Sequence, residues 1–251
     1  ARAFVFASSC SIYGFADSMP RTEYASLNPL TAYAKSKVMA EKSLEPLAGK
    51  GFKITCLRFA TACGMSPRLR LDLVLNDFVA GAVSSSTINI LSDGTPWRPL
   101  IHVKDMARAI RWATGGIADR ENDFLAVNVG SNAWNYQVRD LARAVAEVIP
   151  GTTVMVNENA VQDKRSYSVN FDLFEKLAPD AQPVYTLTET IEELYRGLIA
   201  MGFNNTDFRN SRYMRLKLLS MLQEDSQLSE QLQWRRKETS SAEFRQNLIT
   251  A

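Results

Sequence analysis

Tyr33 and Lys37 stand four residues apart in Asn28-Pro29-Leu30-Thr31-Ala32-Tyr33-Ala34-Lys35-Ser36-Lys37, which reads as a loop running into a helix. At that spacing both side chains leave the same helical face, so the Lys37 ammonium can sit near the Tyr33 phenol. A nearby cation lowers a phenol's pKa, ordinarily about 10, and brings it within reach of proton exchange with a substrate hydroxyl. The same spacing also describes an ordinary pair of neighbours on a helix surface.

The stretch upstream adds a second element. Phe4-Val5-Phe6-Ala7-Ser8-Ser9-Cys10-Ser11-Ile12-Tyr13-Gly14 begins as an apolar run suited to a strand buried on both faces, then turns to small hydroxyl residues and ends on Gly. In open parallel sheets ligands bind at the carboxyl ends of the strands, so a serine there can point at one. A serine-rich loop can also satisfy its own backbone.

Together the two stretches resemble the extended short-chain dehydrogenase/reductase family, the group that includes the nucleotide-sugar epimerases and dehydratases. The family's pattern is a strand ending in Ser-Ser-x-x-x-Tyr-Gly, followed about two dozen residues later by Pro-x-x-x-Tyr-x-x-x-Lys on a helix. This chain matches at Ser8, Ser9, Tyr13, Gly14, Pro29, Tyr33 and Lys37. The resemblance implies Tyr33 as acid/base, Lys37 as the group that binds the cofactor ribose and depresses the Tyr33 pKa, and Ser9 as a hydrogen-bond partner of the reacting hydroxyl. It places Ala7 and Ser8 beside the cofactor, implies NAD with NADP as the alternative, and implies a homodimer through the helix that carries Tyr33 and Lys37.

Further segments extend the likeness. Leu57-Arg58-Phe59-Ala60-Thr61, with Gly64, is similar to the family's Leu-Arg-Tyr/Phe-x-Asn-x-x-Gly segment, with Thr61 where Asn is frequent. By that resemblance Phe59, Ala60 and Thr61 touch the cofactor, and Thr61 also the sugar. Trp97-Arg98-Pro99-Leu100-Ile101-His102-Val103-Lys104-Asp105 resembles the segment whose Arg grips the substrate diphosphate, a role that falls on Arg98. Gln162-Asp163-Lys164-Arg165-Ser166-Tyr167 resembles the segment that closes over the nucleotide, which implies Arg165 as a second phosphate contact and Tyr167 as a contact to the nucleotide half. His102, the single histidine, is expected to be buried and hydrogen-bonded.

The fold expected is α/β: the C-terminal portion of a Rossmann-type doubly wound parallel sheet with a smaller α/β substrate-binding domain. Residues 1–64 read as the catalytic half of the dinucleotide-binding domain, 65–201 as a substrate-binding region with segments returning to it, and 202–251 as a helical extension of two helices. The helix over 187–195 is expected to be capped by Thr188 or Thr190. The sequence holds no Gly-x-Gly-x-x-Gly, so the likeness starts at about the family's fourth or fifth strand, and the first strands are expected to be missing.

With 251 residues, 46% of them hydrophobic, the chain can bury a sizeable core, and a net charge of +2 gives no reason to expect nucleic acid as a partner. Cys10, Cys56 and Cys63 lack metal-ligand spacing, so neither a disulfide scaffold nor a zinc site is expected. No apolar run approaches the roughly 20 residues of a membrane span, and a cytoplasmic setting is expected. Family 4,6-dehydratases place an Asp-Glu pair directly after the strand's hydroxyl residue, where this chain has Cys10 and Ser11. The resemblance therefore implies 4-epimerisation of a nucleoside-diphosphate sugar through a transient keto sugar. A reductase or decarboxylase of the same fold, or an inactive fragment or structural subunit without cofactor, are the alternatives.

Overall fold

The computed structural model describes residues 2–15, 19–115, 122–157 and 166–235. In chain order the elements are β1 (Ala3–Ser9), α1 (Ala32–Leu44), β2 (Lys53–Phe59), β3 (Thr61–Cys63), α2 (Val74–Ser85), β4 (Thr87–Ile90), β5 (Trp97–His102) and α3 (Val103–Gly115). They are followed by β6 (Phe124–Val129), β7 (Asn135–Gln137), α4 (Val138–Val148), β8 (Thr153–Val156), α5 (Asp172–Leu177), α6 (Leu187–Ala200) and α7 (Arg215–Glu224). The chain divides into two compact units, one formed by Ala1–Leu69 with Leu73–Thr206, the other by Arg70–Asp72 with Asp207–Ala251.

The first unit is an α/β structure. Its principal sheet has the order β1-β2-β6, all parallel, with Ser9 level with Phe59 and Phe59 level with Val129 at the carboxyl edge. Parallel strands need crossovers, and α1 supplies the one between β1 and β2. α1 packs on β1, α3 on β1 and β2, and α5 on β6. β2 is buried almost throughout, as a central parallel strand must be, although it carries Thr55 and Arg58 among its apolar residues. β1 differs from its sequence expectation: Phe4 is 42% exposed, because among the described residues β1 pairs with β2 alone and forms the sheet edge. The core beneath includes Ile12, Leu57, Val127, Val129, Phe171 and Phe174.

A second sheet joins β3 and β5 in parallel and β5 with β7 antiparallel, and β4 pairs with β8 in parallel. Residues 135–137 form β7, and α4 starts directly after it at Val138. His102, at the end of β5, is fully buried and stacks on Tyr185, with ring centroids 4.0 Å apart. Its Nδ1 accepts from the Lys104 N–H at 3.1 Å, which leaves the proton on Nε2 to donate to Glu193 at 2.6 Å. Partial burial opposes ionisation of Glu193, but hydrogen bonds from Lys104 and His102 outweigh it and hold the carboxyl below its usual range. The N-cap of α6 is Thr186, not Thr188 or Thr190: Thr186 and Glu189 form a reciprocal capping box, and Thr190 donates to the Thr186 carbonyl.

In the second unit, the described residues hold a single α-helix, α7, with no buried residue, and Arg70 is paired with Asp72 at 2.6 Å. No helix among the described residues is long and apolar enough to cross a membrane. Cys10, Cys56 and Cys63 are free and buried, and burial pushes the Cys56 thiol up to about 12.

The turn after β1 depends on Gly14. Its φ is +65°, and an added Cβ would overlap the Asn28 carbonyl, so only glycine lets the segment leading to α1 lie against the strand end. Gly14→Ala is expected to cost about 2 kcal/mol or more, read as a fall of roughly 4–8 °C in the thermal midpoint; an unchanged midpoint would contradict the close approach. Because the Glu193 carboxyl is held low, its stabilising contribution is complete above the ordinary carboxylate pKa and is lost as pH falls through the depressed folded value. The midpoint of the wild type should therefore drop more steeply than that of Glu193→Gln between about pH 5 and pH 3.

Candidate functional site

The candidate residues gather where β1 ends and α1 begins. Ser9 closes β1, and its Oγ accepts from the Ser11 N–H at 3.2 Å, capping the short 3-10 turn Cys10–Tyr13. That bond uses an oxygen lone pair and leaves the hydroxyl proton to donate elsewhere. Thr31, two residues before Tyr33, caps α1 by accepting from the Ala34 N–H at 3.1 Å. Tyr33 is 56% exposed in that first turn, and Ser36 donates to its carbonyl at 2.7 Å.

Lys37 lies one turn along. Its Nζ donates to the Ala7 carbonyl at 2.7 Å and stands 4.7 Å from the Phe6 ring centroid and 5.4 Å from that of Tyr33. The amine and the phenol therefore share one side of α1, and the amine is held against the carboxyl half of β1. One of the three ammonium protons is spent on Ala7, so two donors remain. A ribose with adjacent hydroxyls matches those donors in number and chemistry, so Lys37 and the strand edge fit the nicotinamide-ribose side of a dinucleotide.

The remaining candidates fall into three situations. Phe59 and Ala60 are buried, Ala60 donating to the Val129 carbonyl at 3.0 Å, whereas Thr61 on β3 is half-buried. Arg98, on β5, is half-buried and donates from Nη1 to the Trp97 carbonyl at 2.8 Å. The Tyr167 N–H reaches the same carbonyl at 3.4 Å, but the Tyr167 side chain is only 7% exposed and packs in the hydrophobic cluster, so it occupies neither an exposed turn nor an open surface. Arg165 lies outside the described residues. Ser8, read beside Ala7 as a cofactor neighbour, is buried and its hydroxyl is spent on Glu41, so only its main chain is left for such a contact.

That bond belongs to a polar hub under the site. Arg58 and Glu41 form a buried ion pair, with side chains 9% and 6% exposed. Arg58 Nε reaches both Glu41 oxygens at 3.1 Å and Nη2 reaches Oε2 at 2.7 Å. Its Nη1 donates to the Tyr13 hydroxyl at 3.1 Å and to the Glu23 carbonyl at 3.0 Å. Tyr13 in turn donates to Asn128 Oδ1 at 2.6 Å, and the Asn128 N–H donates to Glu23 Oε1 at 2.9 Å. Burial works against the Arg58 charge, but the bonds to Glu41 and Tyr13 outweigh it and raise its pKa further; burial pushes the Tyr13 phenol up, which keeps it a donor. The sequence reading missed this hub; only two of its members carry a local signal, Arg58 as an arginine within a buried strand and Glu41 at the helical spacing 33/37/41.

This parallel sheet with crossover helices and a Tyr-Lys helix at its carboxyl edge defines a Rossmann-like chain. Residues 1–130 match the model of the NAD dependent epimerase/dehydratase family, and the chain belongs to that family. It is 25% identical over 205 residues to a UDP-glucose 4-epimerase of Rhizobium meliloti (strain 1021), covering 68% of this chain and 60% of that protein. A UDP-glucose 4-epimerase of Rhizobium leguminosarum bv. trifolii is 29% identical over 166 residues, 58% of this chain and 49% of that protein. The chain thus spans about half to three-fifths of the length of these relatives. Among solved structures, MoeE5 in complex with UDP-glucose and NAD superposes with a TM-score of 0.67 at 23% identity, covering 80% of this chain and 66% of that one, which shows the shared fold.

Arg58→Met would strand the Glu41 carboxylate in the core. Breaking a buried pair in this way costs about 3–5 kcal/mol, which calorimetry should read as a fall of roughly 6–20 °C in the midpoint; a fall under about 2 °C would mean that water reaches Glu41.

Proposed function

We propose that this chain carries the catalytic centre of an NAD-dependent 4-epimerase of a nucleoside-diphosphate hexose, with a UDP-hexose as the first substrate to test. The observation that supports this reading most is the Tyr33–Lys37 pair, with the ammonium 5.4 Å from the phenol ring and anchored to the strand that ends in Ser9. Residues 1–64 act as the catalytic half of the dinucleotide-binding domain, 65–201 as the substrate-binding region and 202–251 as an extension. The setting is cytoplasmic, and the assembly is a homodimer through the outward face of α1, where Met39 is exposed.

NAD would be held by Lys37 and the carboxyl ends of β1 and β2, and would supply reversible hydride acceptance at C4 of the sugar. The chain's own groups handle the proton and the geometry. Tyr33 accepts the proton of the C4 hydroxyl as the hydride departs and returns it when hydride is delivered to the other face of the keto sugar. The Lys37 charge stabilises negative charge on the phenol oxygen during that transfer and its free donors hold the ribose. Ser9 donates a hydrogen bond, without proton transfer, to the reacting oxygen, and Phe59, Ala60 and Thr61 line the nicotinamide side. Arg98 and Arg165 bind the diphosphate, whereas the buried Tyr167 ring packs in the core and leaves the nucleotide half to other groups. Positions 10 and 11, Cys and Ser, offer no acid–base pair for eliminating water.

The half-exposed β1 favours a second reading, in which the chain acts only with another polypeptide paired on that strand. Equilibrium dialysis of NAD against the chain alone separates the two: binding supports the first, its absence the second. For the first, incubation with NAD and UDP-glucose should produce UDP-galactose with no net NADH. Tyr33→Phe should lower kcat about 100-fold or more; full activity in that variant would refute the proton-transfer role.

A further inference from the structure

The proton-transfer site joins Ser9 to Tyr33, two residues separated by 23 positions of intervening chain. Their separation is therefore set by side chains that cross between β1 and α1. Glu41 lies on the same α1 face as Tyr33 and Lys37, two turns and one turn further on. In the β1–β2 register Ser8 stands directly opposite Arg58, so both reach the same face of the sheet, and both bond the Glu41 carboxylate. One helix residue is thus gripped by two adjacent strands, at a point one residue before Ser9.

We infer that Ser8 and Glu41 are positioning residues: the Ser8 hydroxyl and Glu41 carboxylate fix the axial position of α1 against β1, and so the distance from Tyr33 to Ser9. The inference rests on the proposed roles of those two hydroxyls. Apolar contacts alone would let the helix slide, because dispersion is non-directional; a carboxylate held by a guanidinium fork and a hydroxyl is not free to do so. The chemical stakes are set by geometry, since a displacement of about 1 Å at reacting groups costs on the order of 100-fold in rate. Of the bonds in this strap, the one from Ser8 can be removed while the Arg58–Glu41 pair stays closed.

Ser8→Ala in the NAD-loaded chain should lower kcat for UDP-glucose epimerisation about tenfold with KM within about twofold, and Ser8→Thr, which keeps the hydroxyl, should restore kcat. A role confined to stability would lower the melting temperature and leave kcat of the folded enzyme unchanged, which overturns the inference, as does a loss confined to KM. A second readout needs no substrate: amide hydrogen exchange over Ala34–Lys37 should quicken in Ser8→Ala and not in Ser8→Thr. If the wild type epimerises no nucleotide sugar, the proposed function falls, and the exchange result alone decides the strap, faster exchange supporting it and unchanged exchange overturning it. Where Ser8→Ala is not recovered folded, Ser8→Cys, isosteric with a weaker donor, carries both measurements.

Discussion

The salt bridge between Arg58 and Glu41 is the constraint on which the junction of β1, β2 and α1 depends. Moving two charges out of water costs several kcal/mol per ion, and attraction repays this only where every donor and lone pair is used. Here Arg58 spends Nε and Nη2 on Glu41 and Nη1 on Tyr13 and Glu23, while Glu41 also takes the Ser8 hydroxyl. Such a cluster adds little net stability over a hydrocarbon core of equal volume. What it adds is register, because only one placement of α1 against β1 and β2 closes all of these bonds.

Register is what a site shared between a strand and a helix requires. From the hub, one set of bonds runs through Tyr13 to Asn128 on β6, whose Nδ2 reaches the Arg21 carbonyl before α1 and the Asn170 carbonyl before α5. Another runs through Ser8 and Glu41 to the helix that carries Lys37 and Tyr33. The Ala7 carbonyl then fixes the Lys37 ammonium directly. Tyr33 is left exposed on a helix that these bonds tie to β1 and β2, the arrangement that the proposed proton transfer calls for.

The helix that carries Tyr33 and Lys37 and the turn after β1 were legible in the sequence because their signals are local: a four-residue spacing and a glycine that ends a strand. The hub was not, since Ser8, Tyr13, Glu23, Glu41, Arg58 and Asn128 come from six separate segments and meet only once the parallel register brings Ser8 beside Arg58. Burial of β1 was misread for a related reason: apolar content sets what a strand can bury, and neighbouring strands set what it does bury. The α6 cap shows competition among like residues, where Thr186 prevails over Thr188 and Thr190 because Glu189 stands three residues beyond it. Tyr167 carried no periodic signal to tell a core ring from a surface one, and only packing against the hydrophobic cluster decides it.

The most direct measurement is a crystal structure of the chain with NAD and a UDP-hexose. The Tyr33 hydroxyl and Ser9 Oγ are expected within about 2.6–3.2 Å of the same sugar hydroxyl, with the Lys37 ammonium on the cofactor ribose. A sugar bound away from the carboxyl ends of β1 and β2, or one that meets only one of those two hydroxyls, would contradict the account.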